Sequence, residues 1–459
     1  MWYRNLKLYY ALEYDLKMKK YKAFIFFFLF AFILGYSQNN TEELTTKEIK
    51  ETIHAVGKVI MEKYVFPEIA NEITELINSN LKKGYYKNLS NPKELAKKLT
   101  KDIQSINHDK HLRVFYNPES HGRESTEMSA EDREKFLEKM REMEKRDNFT
   151  FKEVKILDGN IGYINFRGFR DPEYASETVI ATMNFLSNTD AIIFDLRNNG
   201  GGYPQMVQLL SSYFFKGDPI HLNTFYNRID ETSEQFWTLP YVPGKRLPDV
   251  QLYILTSSST FSAAEEFSYN LKHLKRAVII GETSGGGAHP GESFRVSNKF
   301  KVWTSTGRAI NPITNSNWEG IGVIPHIKTS EKEALISARL KALDSLKKVN
   351  TDDIRNDYYD WHIGTLKATQ TPVNVSLSSL KSYVGTYESL IISLENGVLY
   401  YQSDAPDSKV KLTPIDNSTF QYGELTDVRI LFLRTNNKVE ALMTKNVYGR
   451  SDTYTKDEN

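Results

Sequence analysis

The chain has 459 residues, enough for two to four domains, and its formal net charge is +1 although 25% of its residues are charged. Because acidic and basic residues are interspersed, the sequence predicts neither a nucleic-acid-binding protein nor one that is attracted to an anionic membrane surface. The chain has no cysteine, which excludes disulfides, thiolate metal sites, a cysteine nucleophile and a lipoprotein anchor.

The first 37 residues have the layout of a signal peptide. A group of lysines precedes the apolar run at residues 23–34, and the small residues Gly35 and Ser37 follow it. The run is about 12 residues long, whereas a membrane-spanning helix needs roughly 20. We therefore predict export to the periplasm or the exterior, with no stable membrane span after cleavage. An uncleaved anchor is the alternative, and Met18 is a second candidate start.

Residues 41–128 are predicted to form a helical domain. Between residues 45 and 107 the apolar residues recur every three or four positions, which is the period of amphipathic helices. Residues 129–150 are dense in glutamate, lysine and arginine and have few apolar positions. We interpret them as a charged helical linker with no functional role.

Residues 151–350 are predicted to form an α/β core. Short apolar runs with the sequences GYINF, AIIFDL, QLYILT and AVIIG are typical of strands buried on both faces. Helix-length segments at 173–186, 204–215 and 263–274 lie among them, so strands and helices alternate. The sequence FRVSNKFKVWTST predicts a hairpin, and residues 332–350 look helical.

The last region, residues 373–459, is predicted to be an all-β module. It contains several short strand patterns separated by turn signals, among them the pair Asn396 and Gly397. About twenty residues before it have no clear pattern.

Ser262 follows a predicted strand directly and begins a predicted helix. A serine at this place gains from unpaired backbone N–H groups and from the positive end of the helix dipole, both of which favour developing negative charge. The same features suit a helix-capping serine. Position alone therefore leaves a nucleophile and a structural cap as alternatives.

A glycine-rich segment, DLRNNGGG, ends another predicted strand just before a helix. Glycines allow backbone amides to approach a substrate closely, so Gly201 and Gly202, together with the amide of Ala263, are candidates for an oxyanion hole. A tight turn between strand and helix is the alternative interpretation.

A serine nucleophile also needs a base, and a carboxylate that orients this base. His111 lies where a strand follows the helical domain, and Glu319 lies between Trp318 and a glycine-rich turn. An exposed histidine and a surface glutamate are the ordinary alternatives. No short-range spacing connects these residues to Ser262.

Taken together, these segments resemble peptidase family S41, which includes C-terminal processing proteases, tricorn core proteases and interphotoreceptor retinoid-binding protein. The resemblance spans Lys47 to Ile327. The segments that show the resemblance are YVFPEIA, HDKHLRVFY, NIGYINFRGF, DLRNNGGG, TFSAAEEF, GETSGGGAHP and NWEGIGVIPHI.

The resemblance implies a crotonase-like ββα core, with Ser262 as nucleophile and oxyanion amides from the glycine loop and from Ala263. The processing-protease branch takes its base from a lysine downstream of the serine, but the matching segment here, TSGGG, has none. The tricorn-like and retinoid-binding-like branch uses an upstream histidine and a downstream glutamate. His111 and Glu319 match these positions, and Glu319 is expected to support the site directly or through another hydroxyl.

The chain departs from many members of the family because it has no room for a PDZ domain between His111 and GYINF. The cleft itself is then expected to select the substrate, with contacts from Gly286, Gly287 and His289. A turn-stabilising role is an equal alternative for His289. The C-terminal module resembles small domains of secreted bacterial hydrolases, which implies a barrel or sandwich with an accessory role or with packing alone.

These observations predict an exported serine-type peptidase that acts on peptides or unfolded proteins and needs no metal or organic cofactor. The main alternative is a non-catalytic carrier of apolar ligands, because one branch of the family binds retinoids and fatty acids. A structural or chaperone-like relative is a further alternative. The combination of Ser262, His111 and the glycine loop favours chemistry, since a carrier needs none of them.

Overall fold

The computed structural model describes residues 43–117, 129–403, 405 and 408–458. The predicted signal peptide at residues 1–37 therefore lies outside the described residues. Within the described ranges, no helix combines the length and the apolar character needed to cross a membrane.

The N-terminal part contains three amphipathic helices, as the spacing of its apolar residues predicts. They are α1 (Thr46–Lys63), α2 (Pro67–Lys82) and α3 (Pro92–Asn107). Thr45 and Glu48 form a capping box at the start of α1, and the side chain of Asn91 caps α3. The next strand, β1 (Arg113–Tyr116), pairs with a strand of the central region, so the helices share a hydrophobic core with it.

A mixed α/β region follows, in which strands and helices alternate. Its elements are, in chain order, α4 (Ala130–Arg146), β2 (Phe151–Leu157), β3 (Ile161–Phe166), α5 (Pro172–Phe185), β4 (Ala191–Asp195), α6 (Pro204–Ser212), β5 (His221–Asn227), β6 (Thr232–Trp237), β7 (Gln251–Thr256), α7 (Ala263–His273), β8 (Ala277–Gly281), β9 (Gly291–Arg295), β10 (Phe300–Ser305), β11 (Gly307–Ile310), β12 (Ile327–Lys328), α8 (Ala334–Val349) and α9 (Asp353–Gln370). The charged segment is the helix α4, and its side chains are mainly exposed.

Six strands form the central sheet in the order β12-β8-β7-β4-β3-β2. All neighbours are parallel except β2, which runs antiparallel to β3. Helices α5, α6 and α7 cover one face in a core that includes Phe194 and Phe267, and α8 and α9 cover the other face. Burial on both faces explains why these strands are nearly continuous apolar runs.

Two small antiparallel sheets lie beside the central sheet, in the orders β11-β5-β6 and β1-β10-β9. The hairpin of β9 and β10 is the one that the sequence predicts, with Trp303 opposite Ser293. The hairpin of β5 and β6 is not predicted from the sequence, although it forms one wall of the cleft described below.

The C-terminal region is a β-meander. Its elements are α10 (Leu377–Tyr383), β13 (Gly385–Tyr387), β14 (Leu390–Glu395), β15 (Val398–Gln402), β16 (Val410–Pro414), β17 (Thr419–Tyr422), β18 (Leu425–Thr435), β19 (Lys438–Asn446) and β20 (Ser451–Thr455). Strands β13 to β20 pair in sequence order, and Tyr387 bridges to Lys456, so the sheet is nearly closed into a barrel. Asn396 and Gly397 have φ of 49° and 80°, as a type I′ turn requires.

Candidate active site

Ser262 lies at the mouth of α7, in a cleft of about 500 Å³ that it shares with Gly202, Ala263 and Gly287. Its backbone has φ 55° and ψ −123°, a conformation that is rare for a residue with a side chain. Such strain persists only where the surroundings impose it, and it is frequent at functional sites. Here the N–H of the preceding Phe261 donates to Asn199 O at 3.0 Å, which ties the serine turn to the glycine-rich segment.

Two backbone amides near Ser262 are available to a ligand. The N–H groups of Gly202 and Ala263 donate no hydrogen bond within the described part of the chain. Gly201, the third predicted donor, differs because its N–H donates to Asn199 Oδ1 at 2.9 Å. The geometry therefore offers two amides for an oxyanion, from Gly202 and Ala263, and gives Gly201 a different role.

The role of Gly201 is to allow close approach of the two segments. Its φ is 94°, and a Cβ added there would lie 2.6 Å from Ser262 Cβ and 2.7 Å from Phe261 O. A Cβ on Gly202 would overlap the carbonyl oxygen of Phe169. Only glycine fits at both positions, because any side chain would push the glycine loop away from the serine.

Glu265 holds the backbone of the site in place, a function that we did not predict. Its buried carboxylate accepts four hydrogen bonds, from Ser284 Oγ at 2.5 Å and from the N–H groups of Gly286 at 2.6 Å, Gly287 at 2.8 Å and Ser262 at 2.9 Å. Burial raises the pKa of Glu265, while these donors oppose the rise. The residue fixes the serine turn and the TSGGG segment against each other.

His111 lies beside Phe261 and Gly287, it forms no hydrogen bond with Ser262 in the described residues, and it is not among the residues that line the cleft. Its ring centroid is 4.7 Å from that of Phe261, the residue before the serine, and a Cβ on Gly287 would be 2.7 Å from His111 Cε1. His111 Nδ1 is buried without a hydrogen-bond partner, 4.0 Å from Asp109 Oδ1. Burial lowers the pKa of His111 to about 4, so the imidazole is neutral at pH 7.

Glu319 contacts His289 and the loop backbone, not His111. Glu319 Oε2 accepts from the N–H groups of Ala288 at 2.6 Å and His289 at 3.2 Å, and it lies 3.4 Å from His289 Nδ1. The same Nδ1 is 3.6 Å from Asp109 Oδ2. Burial, together with the charge of Asp109, raises the pKa of Glu319 to about 7.

Asp109, His289 and Glu319 also have the ligand types of a metal site, with their ligand atoms within 4.8 Å of one another. Asp109 has other partners, because Ser305 Oγ donates to it at 2.8 Å and Tyr64 Oη at 3.1 Å. The imidazole of His289 lies between the buried carboxylate of Asp109 and the half-buried one of Glu319, and we assign no metal to the cluster.

The predicted substrate contacts are only partly found in the cleft. Gly287 lines it, but Gly286 and His289 do not. His289 is 5% exposed and packs edge-on against Phe66, with ring centroids 5.2 Å apart. Its Nδ1 lies near the carboxylates of Asp109 and Glu319, at 3.6 and 3.4 Å.

Two residues of the site were missed, although the sequence contains a signal for each. The spacing Ser-x-x-Glu of Ser262 and Glu265 is a capping-box pattern, and it identifies the glutamate that reaches back to the serine amide. Asp109 lies two residues before His111 and accepts the His111 N–H at 2.9 Å. This local turn brings a carboxylate next to the imidazole.

Comparisons with known proteins identify the family to which the sequence is similar. Residues 160–329 match the model of peptidase family S41, and residues 43–154 match the N-terminal domain of this peptidase in eukaryotic IRBP. The carboxy-terminal processing protease CtpB of Bacillus subtilis (strain 168) is 23% identical over 208 residues, which are 44% of this chain and 41% of that protein. The match thus spans less than half of this relative's length.

Two solved structures of peptidases align with parts of this chain. A putative peptidase from Parabacteroides merdae aligns with a TM-score of 0.46 and 18% identity, over 66% of this chain and 98% of its own. The photosystem II D1 C-terminal processing protease aligns with a TM-score of 0.41 and 14% identity, over 63% of this chain and 94% of its own.

Proposed function

Because the chain belongs to peptidase family S41, we propose that it is a serine-type peptidase that hydrolyses peptide bonds with Ser262 as its nucleophile. The observation that carries this proposal is the strained serine at a helix N-terminus, facing a cleft beside the free amides of Gly202 and Ala263. Donors aimed at a developing oxyanion are the usual means by which acyl transfer is accelerated.

In the proposed reaction, Ser262 Oγ attacks the carbonyl carbon of the scissile bond and His111 accepts the hydroxyl proton. The amides of Gly202 and Ala263 stabilise the oxyanion. The imidazolium then gives its proton to the leaving amine, and an acyl-enzyme remains on Ser262. Water, activated by the neutral His111, releases the acid product and regenerates the serine.

The role of His111 depends on a short approach of its ring toward Ser262. Hydrogen bonds between catalytic groups are often long before substrate binds and tighten in the complex, so the absence of a His111–Ser262 hydrogen bond in the described residues does not exclude His111 as the base. The nearest carboxylate to His111 Nδ1 is Asp109, at 4.0 Å. We therefore propose that Asp109 orients His111, while Glu319 holds the loop at residues 288–289 in place.

We also propose that β2, β3 and α5 begin a crotonase-like core, in line with their strand-strand-helix order. Residues 151–350 would be the catalytic unit, with a helical domain at 41–128, a linker at 129–150 and an accessory unit at 373–459. Export through a cleaved signal peptide at residues 1–37 is part of the same proposal, and it rests on the sequence pattern alone. Peptides or unfolded proteins outside the cytoplasm are the proposed substrates.

A carrier of apolar ligands is the competing function. The composition of the cleft disfavours it, because Asp230, Glu234 and Glu292 all line the cavity. Carboxylates in contact with an alkyl chain would lose hydration without compensation.

The direct test is labelling by a serine-directed fluorophosphonate. We expect the wild-type protein to be labelled, the Ser262→Ala variant to be neither labelled nor active on peptides, and His111→Ala to be strongly impaired. Ser258→Ala is the matched control, because this exposed serine lies in the same loop. Labelling that persists in Ser262→Ala would remove Ser262 from its role, and fatty-acid binding without peptide turnover would favour the carrier.

A further inference from the structure

The cleft next to Ser262 is acidic. Asp230, Glu234, Glu266 and Glu292 line it, while no lysine or arginine of the described ranges does. None of these carboxylates is in an ion pair with another residue of those ranges, in contrast to cleft-distant carboxylates such as Glu48, which pairs with Lys299. A water-filled cleft lined by one sign of charge concentrates ligands of the opposite sign.

The acidic wall is built by the β5–β6 hairpin. Thr232, Glu234 and Phe236 alternate along β6, and all three face the cleft because side chains two apart lie on the same side of a strand. Two nearby arginines have other partners: Arg308 lies over the ring of Tyr226 at 5.6 Å, and Arg228 donates to the carbonyl oxygens of Tyr64 and Met61. Among the described residues, no ion pair therefore neutralises the charge of this wall.

Glu266 gives the cleft a buried carboxyl at its inner end. It lies one helical turn after Ser262 and is only 3% exposed, yet it lines the cavity. The hydrogen bond that it accepts from Asn223 Nδ2 is long, at 3.4 Å. Burial raises the pKa of Glu266 to about 8, as expected for a carboxyl that lacks a cation.

We propose that this cleft selects peptides by a lysine or arginine side chain close to the scissile bond, with Glu266 receiving the cationic group. This inference rests on the proposed peptidase function. The apolar stem of the side chain would pack along Phe236 and Trp318, which line the same cavity. Asp230, Glu234 and Glu292 would attract the cation at the entrance. Glu266 would release its proton to water as the cation approaches, and the resulting carboxylate would replace the lost hydration of the cation.

The test uses a set of fluorogenic peptides with a neutral background, in which a single lysine is moved through each position. Matched peptides carry norleucine in its place, and a second pair compares arginine with citrulline. At one position we expect kcat/KM for the lysine peptide to exceed that for the norleucine peptide by about tenfold. One charge-assisted hydrogen bond is enough to produce a ratio of this size. In Glu266→Gln and Glu234→Gln this ratio should fall, mainly through the lysine peptide.

Glu231→Gln is the matched control, since Glu231 is exposed on the same hairpin but does not line the cleft. It should keep the wild-type ratio. A ratio near one at every position, or a ratio that survives in both Glu266→Gln and Glu234→Gln, overturns the inference. Glu234 is exposed, so its variant gives an answer even where Glu266→Gln folds poorly.

Equilibrium binding separates this inference from the proposed function. In the Ser262→Ala background, fluorescein-labelled lysine and norleucine peptides are compared by anisotropy. Tighter binding of the lysine peptide that is lost in Ser262→Ala/Glu234→Gln supports the acidic subsite even if the wild-type protein cleaves nothing. Cleavage of both peptides at equal rates, with equal binding, would keep the peptidase and remove the subsite.

Discussion

At the scale of single residues, Glu265 is important because its carboxylate holds three backbone N–H groups of the site. In Glu265→Gln, an NH₂ group replaces one of two oxygens that face only donors, so at least one N–H at the site loses its acceptor. We expect a loss of about 1–3 kcal/mol in the free energy of unfolding. Misplacement of Ser262 should reduce its labelling rate by about 100-fold.

The comparison variant for Glu265 is Ser284→Ala, which removes one of the four donors. It should show a smaller loss in both urea unfolding and fluorophosphonate labelling. A Glu265→Gln protein that is labelled at the wild-type rate would contradict the positioning role.

The pKa of His111 predicts an unusual pH dependence. Burial lowers it from 6.5 to about 4, so the neutral form that acts as base persists as the pH falls from 7 to about 5. Labelling should therefore decline only as the pH approaches 4. The unfolded chain binds this proton more tightly than the folded chain, so stability is also lost as the pH falls from 6.5 toward 4.

The measurement is the labelling rate of the wild-type protein and of Glu319→Gln between pH 4 and 8. Burial and Asp109 raise the pKa of Glu319 to about 7, so a transition near pH 7 that disappears in Glu319→Gln belongs to this carboxyl. An inflection at 6.5 in both proteins would show that His111 titrates as a solvated imidazole, contrary to our expectation.

At the scale of elements, the loop between β4 and α6 should tolerate a methyl group at one glycine and not at the next. Gly200→Ala meets nothing within 4 Å, whereas Gly201→Ala places Cβ 2.6 Å from Ser262 Cβ at a φ of 94°. We expect Gly200→Ala to keep the wild-type melting temperature and labelling rate. Gly201→Ala should lose labelling and melt lower, because the loop must move away from the serine.

A circular dichroism melt together with labelling checks this pair. Equal behaviour of the two variants would mean that the loop adapts easily. Close approach of the loops that follow β4 and β7 would then not be needed to hold the oxyanion amides.

The elements that sequence reasoning finds are those whose burial leaves a continuous pattern. The runs GYINF, AIIFDL, QLYILT and AVIIG coincide with β3, β4, β7 and β8, because parallel strands covered on both faces must be apolar throughout. The β5–β6 hairpin was missed because its cleft-facing positions, such as Thr232 and Glu234, are polar. Helix α9 was missed because its apolar residues are interrupted by charged ones, and tertiary packing decides its structure.

For the site, the sequence predicts which backbone segments meet but not the side-chain contacts that depend on distant residues. The sequence places Ser262 at a helix mouth and Gly202 at a strand end, and the parallel order of β4 and β7 joins them. It does not fix which side of the loop His289 takes, since that depends on the distant Asp109 and Glu319. For the same reason the separation of His111 and Ser262 could not be derived from spacing.

At the scale of the whole molecule, α9 connects the α/β region to the β-meander. One side of the helix packs on the central sheet and α8 through Tyr359, Ile363 and Leu366. On another side, Trp361 Nε1 donates to Thr426 O at 2.8 Å, and the Arg429 guanidinium lies 4.0 Å from the Trp361 ring centroid. The helix therefore belongs to the core of the α/β region, and the meander is attached to its outer side.

Two truncations test this division. A chain that ends after residue 372 keeps α9 and loses only the meander, so we expect it to fold cooperatively and to be labelled at the wild-type rate. A chain that ends after residue 350 also loses the buried Ile363 and Leu366, and removing each such side chain costs about 2–5 kcal/mol. It should aggregate or melt without a cooperative transition. If the longer chain also fails to fold, the meander is an integral part of the α/β region; if the shorter chain is labelled normally, α9 is dispensable to the core.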